Sequence, residues 1–255
     1  MTDWAWRIPF LSSCILVVIG LYVRLKLAEA PIFLAALNKP KPKALPMMEV
    51  IVTHFKPFFL GMLICIAGYV LFYIIIAFSQ IYAKSAPSQS EAGYAMGLGF
   101  SPQIFTALLM YSTVSLAISI TISGKCIDKI GRRIWLIWTT VAVAIFGLAL
   151  PYFLENGTTV SLFWFLIIGM GLIGMGYGPL SSFLPELFPT HVRYTGASLT
   201  YNIAGLFGAS VAAIIALPLN ANYGLKGVGI YLTLNAVLSL IGLWFITETR
   251  DRQLL

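Results

Sequence analysis

Residues 168–180 read IGMGLIGMGYGPL. Gly169, Gly171 and Gly174 stand at the G-x-G-x-x-G spacing of a dinucleotide-binding turn, and the reading of that spacing decides the fold. A nucleotide turn follows a strand and opens a helix, so that pyrophosphate meets free backbone amides. Here VSLFWFLIIG before and YGPLSSF after belong to one continuous apolar run. Its amides are spent inside a helix, and no phosphate reaches them. In helical projection Gly171, Gly174 and Gly178 share a face, and Gly174 and Gly178 form a small-xxx-small contact. Gly169 and Gly176 fall on the opposite face, so neighbours approach from two sides. Pro179 is expected to bend the helix.

Composition supplies the solvent for such a helix. The chain has 255 residues, 59% hydrophobic and 10% charged. Soluble domains carry about 25% charged residues. A single aqueous core cannot hide this much apolar surface, and the mean hydropathy of +0.91 places much of the chain in lipid. Seven stretches reach the length of about 20 apolar residues that spans a bilayer. They lie near 4–23, 58–81, 103–123, 134–154, 160–183, 199–218 and 228–247. None alternates like a barrel strand. The fold class is therefore an all-α integral membrane protein with seven transmembrane helices.

The net charge of +7 would point to nucleic acid in a soluble protein, but its distribution follows the membrane instead. Residues 24–57, 124–133, Arg193 and the tail with Arg250 and Arg252 hold thirteen of the sixteen Lys and Arg residues. Arg7, Lys84 and Lys226 are on the other side. This bias puts the C-terminus in the cytoplasm and the N-terminus outside. The stretch NKPKPKALP at 38–46 reads as an extended basic linker, because proline resists helix. The organisation is a lone helix (1–23), a basic cytoplasmic linker (24–57), a six-helix unit (58–247) and a cytoplasmic tail (248–255). KSAPSQSEAGYAMGLGFSP at 84–102 reads as an exposed outer loop. The connections near 124–133 and 219–227 read as gaps between spans.

The segment GKCIDKIGRR at 124–133 carries more than orientation charge. Asp128 lies among four cations and has a choice of partners, from the amides of the next helix to Arg132. Such a knot latches two helices. The spacing of Gly124, Asp128, Lys129, Gly131, Arg132 and Arg133 resembles the loop signature of the major facilitator superfamily, with Cys126 where that family usually has Leu. PELFPTHVRYTG at 185–196 resembles a second facilitator motif. There Glu186 sits near hydrocarbon and is expected to pair with Arg193 or Arg132. WRIPFL at 6–11, PMMEVIVTHFKPFFLG at 46–61 and LPELFPTHVRYTGASLTYNIAG at 184–205 are similar to the metabolite:proton symporter family, which includes shikimate, proline/betaine and oxoglutarate permeases.

That resemblance implies a facilitator-type C-terminal half of six helices preceded by one extra helix, the sixth to twelfth of the family pattern. Substrate in such transporters binds at mid-membrane between two halves. The expectation is a metabolite transporter of the inner membrane, for an organic acid or zwitterion with a proton, whose first five helices are absent. It would be a truncated or split gene product, inactive alone. The alternative is activity after assembly with a separate N-terminal half or as a homodimer. The partners implied are the lipid bilayer, and a small metabolite and proton once the other half is supplied. No nucleic acid, cofactor or enzyme activity is implied. No Asp, Glu, Lys or His sits near the centre of a span, where a proton relay would place one.

Tyr69, Tyr73, Gln80, Tyr177, Tyr201 and Asn202 are the polar candidates for a substrate-facing surface. For any one of them the commoner role is an interhelical hydrogen bond. Ser112, Thr113, Ser115, Ser119 and Asn235 read as packing groups. His54 and His191 sit in basic connections with no third ligand at metal spacing, so no metal site is expected. Cys14, Cys65 and Cys126 form no C-x-x-C pair. A seven-helix receptor of the retinal type is the competing class. It needs a Schiff-base lysine in the last span, and 228–247 has none.

Overall fold

Proline and glycine punctuate the apolar chain into helices. The computed structural model describes residues 4, 7–26 and 46–247. The basic stretch at 39–43 and the tail from 248 lie outside the described residues. Residues 1–43 and 44–255 form two separate compact units.

The first unit contributes α1 (Arg7–Lys26). Its two ends carry amphipathic pairs, Arg7 over the Trp4 ring at 5.3 Å and Lys26 over Tyr22 at 5.6 Å. Cationic and aromatic side chains of this kind suit the two edges of a bilayer.

The second unit begins with α2 (Pro46–Thr53) and, after a break at His54, α3 (Phe55–Tyr73). A π-helical turn, Ile74–Phe78, carries α3 into α4 (Ser79–Lys84). Next come α5 (Pro102–Ile130), α6 (Arg132–Glu155) and α7 (Thr159–Glu186). The last run is α8 (Arg193–Gly205), a π-helical turn at Leu206–Ser210, and α9 (Val211–Phe245). Ser101 and Thr158 cap α5 and α7 by accepting from the backbone N–H of Ile104 and Ser161.

Five of these helical runs are long and apolar enough to cross a membrane: Phe55–Lys84, Pro102–Ile130, Arg132–Glu155, Thr159–Glu186 and Arg193–Phe245. The fifth has 53 residues. At 1.5 Å per residue that is about 80 Å, against a hydrocarbon core of about 30 Å. It divides at Gly224, whose φ of 67° and ψ of −170° are not helical. Two crossings therefore share one run, and with the 20 residues of α1 the count reaches seven.

Small residues let these helices meet closely. On α7, Gly171, Gly174 and Gly178 face Ser115, Ser119 and Ser123 of α5. A methyl group on Gly174 would lie 2.6 Å from the Leu116 carbonyl oxygen, and one on Gly178 would overlap the Ser123 hydroxyl. Ser115 Oγ crosses the same seam to donate to the Ile167 carbonyl at 3.0 Å. Gly169, on the other side of α7, meets Ile75 and Phe146. Between α6 and α9, Gly229 rests its bare backbone on the Gly147 carbonyl, which Pro151 leaves without a helical donor. Thr233 Oγ1 donates to the Ala144 carbonyl at 3.0 Å. Buried Ser239 ties α9 to α3, donating to the Leu63 carbonyl at 2.6 Å and accepting from the Ala67 N–H at 3.1 Å.

The expected linker 24–57 holds α2 and the start of α3, and two further boundaries differ from the sequence reading. First, α5 runs through Gly124 to Ile130, so most of the expected 124–133 loop is helix and the break is the single residue Gly131, at φ 101°. That left-handed conformation favours glycine. Second, 219–227 is helical on both sides of Gly224, not a gap between spans. The segment 85–101 is mostly exposed, as the sequence reading has it, and is also tied to the bundle. Leu98 and Phe100 donate backbone N–H to the carbonyls of Tyr82 and Ala83, and Asn220 Nδ2 donates to the Ala95 carbonyl at 3.1 Å. Tyr94 lays its ring against Gly224.

Candidate functional site

Three tyrosines from three helices meet: Tyr69 of α3, Tyr177 of α7 and Tyr201 of α8. The rings of Tyr69 and Tyr201 are 4.9 Å apart, tilted by 48°. Tyr177 and Tyr201 stand edge to face, with centroids 6.4 Å apart. The Tyr201 hydroxyl donates to that of Tyr177 at 3.0 Å. Tyr69 fits because Gly205 and Gly208, flanking and within the π-helical turn after α8, leave it room. A methyl on Gly208 would come within 2.6 Å of Tyr69 Cβ.

The tyrosine pair forms a wall between two cavities. One, of about 140 Å³, lies among α3, α6, α7 and α8, and Cys65, Gly68, Tyr69, Thr139, Thr140 and Gly176 contribute to its lining. The other, of about 350 Å³, lies between α7 and α8, beside Ser181, Ser198 and Tyr194. Tyr177, Leu180 and Tyr201 border both. Neither lining holds a charged side chain. What the two linings offer is hydroxyl groups inside an apolar shell.

Tyr73, Gln80 and Asn202 line neither cavity. Tyr73 reaches the Ala213 carbonyl at 3.5 Å, and Asn202 donates to the Ser198 carbonyl of its own helix at 2.8 Å. Thr139 and Thr140 were not singled out from the sequence. Two adjacent hydroxyls in an apolar span are the signal. Their own hydrogen bonds return to the Trp135 and Leu136 carbonyls of α6.

A second polar centre lies at the Gly131 end of the bundle. Arg132 pairs with Glu186 at the end of α7, both largely buried. Arg133 turns the other way, donating from Nε to the Leu243 carbonyl at 2.8 Å and from Nη2 to the Trp244 carbonyl at 3.1 Å. Cations at the first turn of α6 oppose its own dipole. Their placement makes sense through the two neighbouring C-termini they hold, those of α7 and α9. Arg193 donates to the Phe188 carbonyl at 3.4 Å and to Thr190 Oγ1 at 3.3 Å, bracing the turn between α7 and α8. The structure thus gives Glu186 to Arg132. Asp128 and Lys129 lie exposed on the last turn of α5, and nothing comes within 4 Å of where a Gly124 side chain would begin.

The sequence reading finds no third group beside His54 and His191, but the fold brings a carboxylate there. Glu49 Oε1 lies 2.6 Å from His191 Nε2, although the two are 142 residues apart in the chain. Ligand atoms of Glu49, His54 and His191 all fall within 4.8 Å of one another. Sequence spacing could not reveal a triad assembled by α2 and the α7–α8 turn.

The Major Facilitator Superfamily model matches residues 1–213. A Haemophilus influenzae protein whose name assigns it provisionally to metabolite transport is 87% identical over 254 residues, all of this chain and 57% of that protein. The inner membrane metabolite transport protein YhjE of Escherichia coli is 39% identical over 99% of this chain and 56% of its own length. The proline/betaine transporter of Salmonella typhimurium is 26% identical over 99% of this chain and 50% of its own. The chain spans little more than half the length of these curated relatives. No solved structure matches it.

Proposed function

The chain belongs to the major facilitator superfamily, and from that membership we propose that it supplies the substrate-binding C-terminal half of an inner-membrane transporter for a small organic acid or zwitterion. The observation that carries the reading is the Tyr69–Tyr177–Tyr201 cluster between two cavities. Three phenols offer donors and acceptors to a carboxylate inside a shell with no competing charge. The names of the relatives, metabolite and proline/betaine transporters, support the substrate class and a non-enzymatic role.

In this reading the Arg132 end faces the cytoplasm, because most of the Lys and Arg residues lie on that side. The C-terminus is cytoplasmic and the N-terminus outside. The arginines and Glu186 form the latch of that face. Substrate passes between this six-helix unit and a complementary half, and any proton relay belongs to that other half. In this reading coupled transport needs both halves.

The test is uptake of labelled betaine, proline and shikimate into proteoliposomes under an imposed proton gradient. The chain is reconstituted alone and with the N-terminal portion of its 87%-identical relative. Uptake appears in the combined vesicles and falls with Tyr201→Phe. Uptake of equal rate by the chain alone overturns the need for a complement. Combined vesicles inert toward the whole substrate class overturn the transport reading.

A further inference from the structure

Among the described residues, Glu49, His54 and His191 form the one group of three potential metal ligands. They come from α2, from the break before α3 and from the turn between α7 and α8. On an unbroken helix, residues five apart point about 140° away from each other. Glu49 and His54 converge because the chain leaves the helix at His54, with φ −115° and ψ 33°. The backbone break thus aims both donors at the ring of His191.

Tetrahedral zinc holds its nitrogen and oxygen ligands about 2.0–2.2 Å from the metal, so donor atoms sit roughly 3.3 Å apart. Atoms already within 4.8 Å of one another reach that spacing by side-chain rotation. His191 is about half exposed, while Glu49 is mostly covered and anchors the site. The hydrogen bond between them keeps two donors side by side before any ion arrives. Two imidazoles and a carboxylate suit zinc and similar first-row cations and leave one position open to water. The cation nearest His191 in sequence, Arg193, is engaged with Phe188 and Thr190.

We propose that Glu49, His54 and His191 bind a divalent transition cation of the zinc type, fastening α2 to the α7–α8 turn. The ion would pin the same connection that Glu186 begins and Arg193 ends. Occupancy would hold this end of the bundle in one arrangement, a means of regulation independent of which substrate the cavities accept.

The experiment uses the full chain in detergent, stripped with chelator and titrated with Zn²⁺ by calorimetry. One Zn²⁺ binds per chain, and His54→Ala or His191→Ala weakens it by at least about tenfold. Zn²⁺ also raises the unfolding temperature of the parent and not of either variant, and circular dichroism confirms that the variants are helical. A measurement on the parent alone guards against variants that fail to fold. Zn²⁺ protects His54 and His191 from diethylpyrocarbonate, read by mass spectrometry. Absence of saturable binding, undiminished binding in the double His variant, or histidines modified equally with and without Zn²⁺ overturns the proposal.

Discussion

The indole N–H of Trp135 donates to the carbonyl oxygen of Met175 at 3.0 Å. That carbonyl would ordinarily accept from residue 179 one turn on, but residue 179 is proline and has no donor. A side chain of α6 therefore completes the backbone of α7 at its proline, one turn below the cavity threonines.

Trp135→Phe removes this donor and leaves the Met175 carbonyl unpartnered. The expected cost is about 1 kcal/mol, measured by unfolding of the purified chain in detergent. In a Pro179→Ala background the N–H of residue 179 returns, and the same substitution should cost close to nothing. Equal losses in both backgrounds would show that the indole acts through packing.

Arg132 and Glu186 hold α6 to α7. Arg132→Gln takes a cation from beside a largely buried carboxylate at a helix C-terminus, where the dipole already disfavours negative charge. A loss of about 1–3 kcal/mol is expected. Adding Glu186→Gln should recover part of it. An additive double variant would rule out direct coupling.

Gly174→Ala pushes a methyl into the α5 backbone and should cost about 1–3 kcal/mol. Gly124→Ala is the contrasting case, since it lies at an exposed position of α5 with open space around it. There alanine should stabilise the isolated chain by about 0.5–1 kcal/mol. If both substitutions act alike in unfolding measurements, close approach is not what α7 needs its glycine for.

Gly224→Ala combines left-handed backbone with a collision against the Tyr94 ring. A loss of about 1–3 kcal/mol is expected. Tyr94→Ala should relieve the steric part and leave the backbone part. Proteolysis of 85–101 should accelerate in Gly224→Ala as that segment loses its seat, and an unchanged rate would sever that link.

The helices and their order are legible in the sequence because hydropathy and the 3.6-residue period are local. What needs two distant segments is not. Arg133 reads as one member of the 124–133 signature, with no partner named, until the end of α9 arrives beneath it. Tyr69, Tyr177 and Tyr201 look no different from Tyr73 in composition, and only the π-helical turn and its glycines decide which phenols share a cavity. Glu49 and His191 carry no spacing signal at all. The break at Gly224 hides because the residues around it, LNANYGLKG, read as a short polar gap, whereas the chain stays helical up to the turn.

That single-residue joint has a mechanical result. Two crossings linked by a slack loop slide past each other independently. Two linked at one glycine, with a tyrosine ring wedged against it, have no spare chain to take up such a slide. The joint lies outside either cavity, and the two arms run from it to the turn that Arg193 braces and to the carbonyls that Arg133 grips.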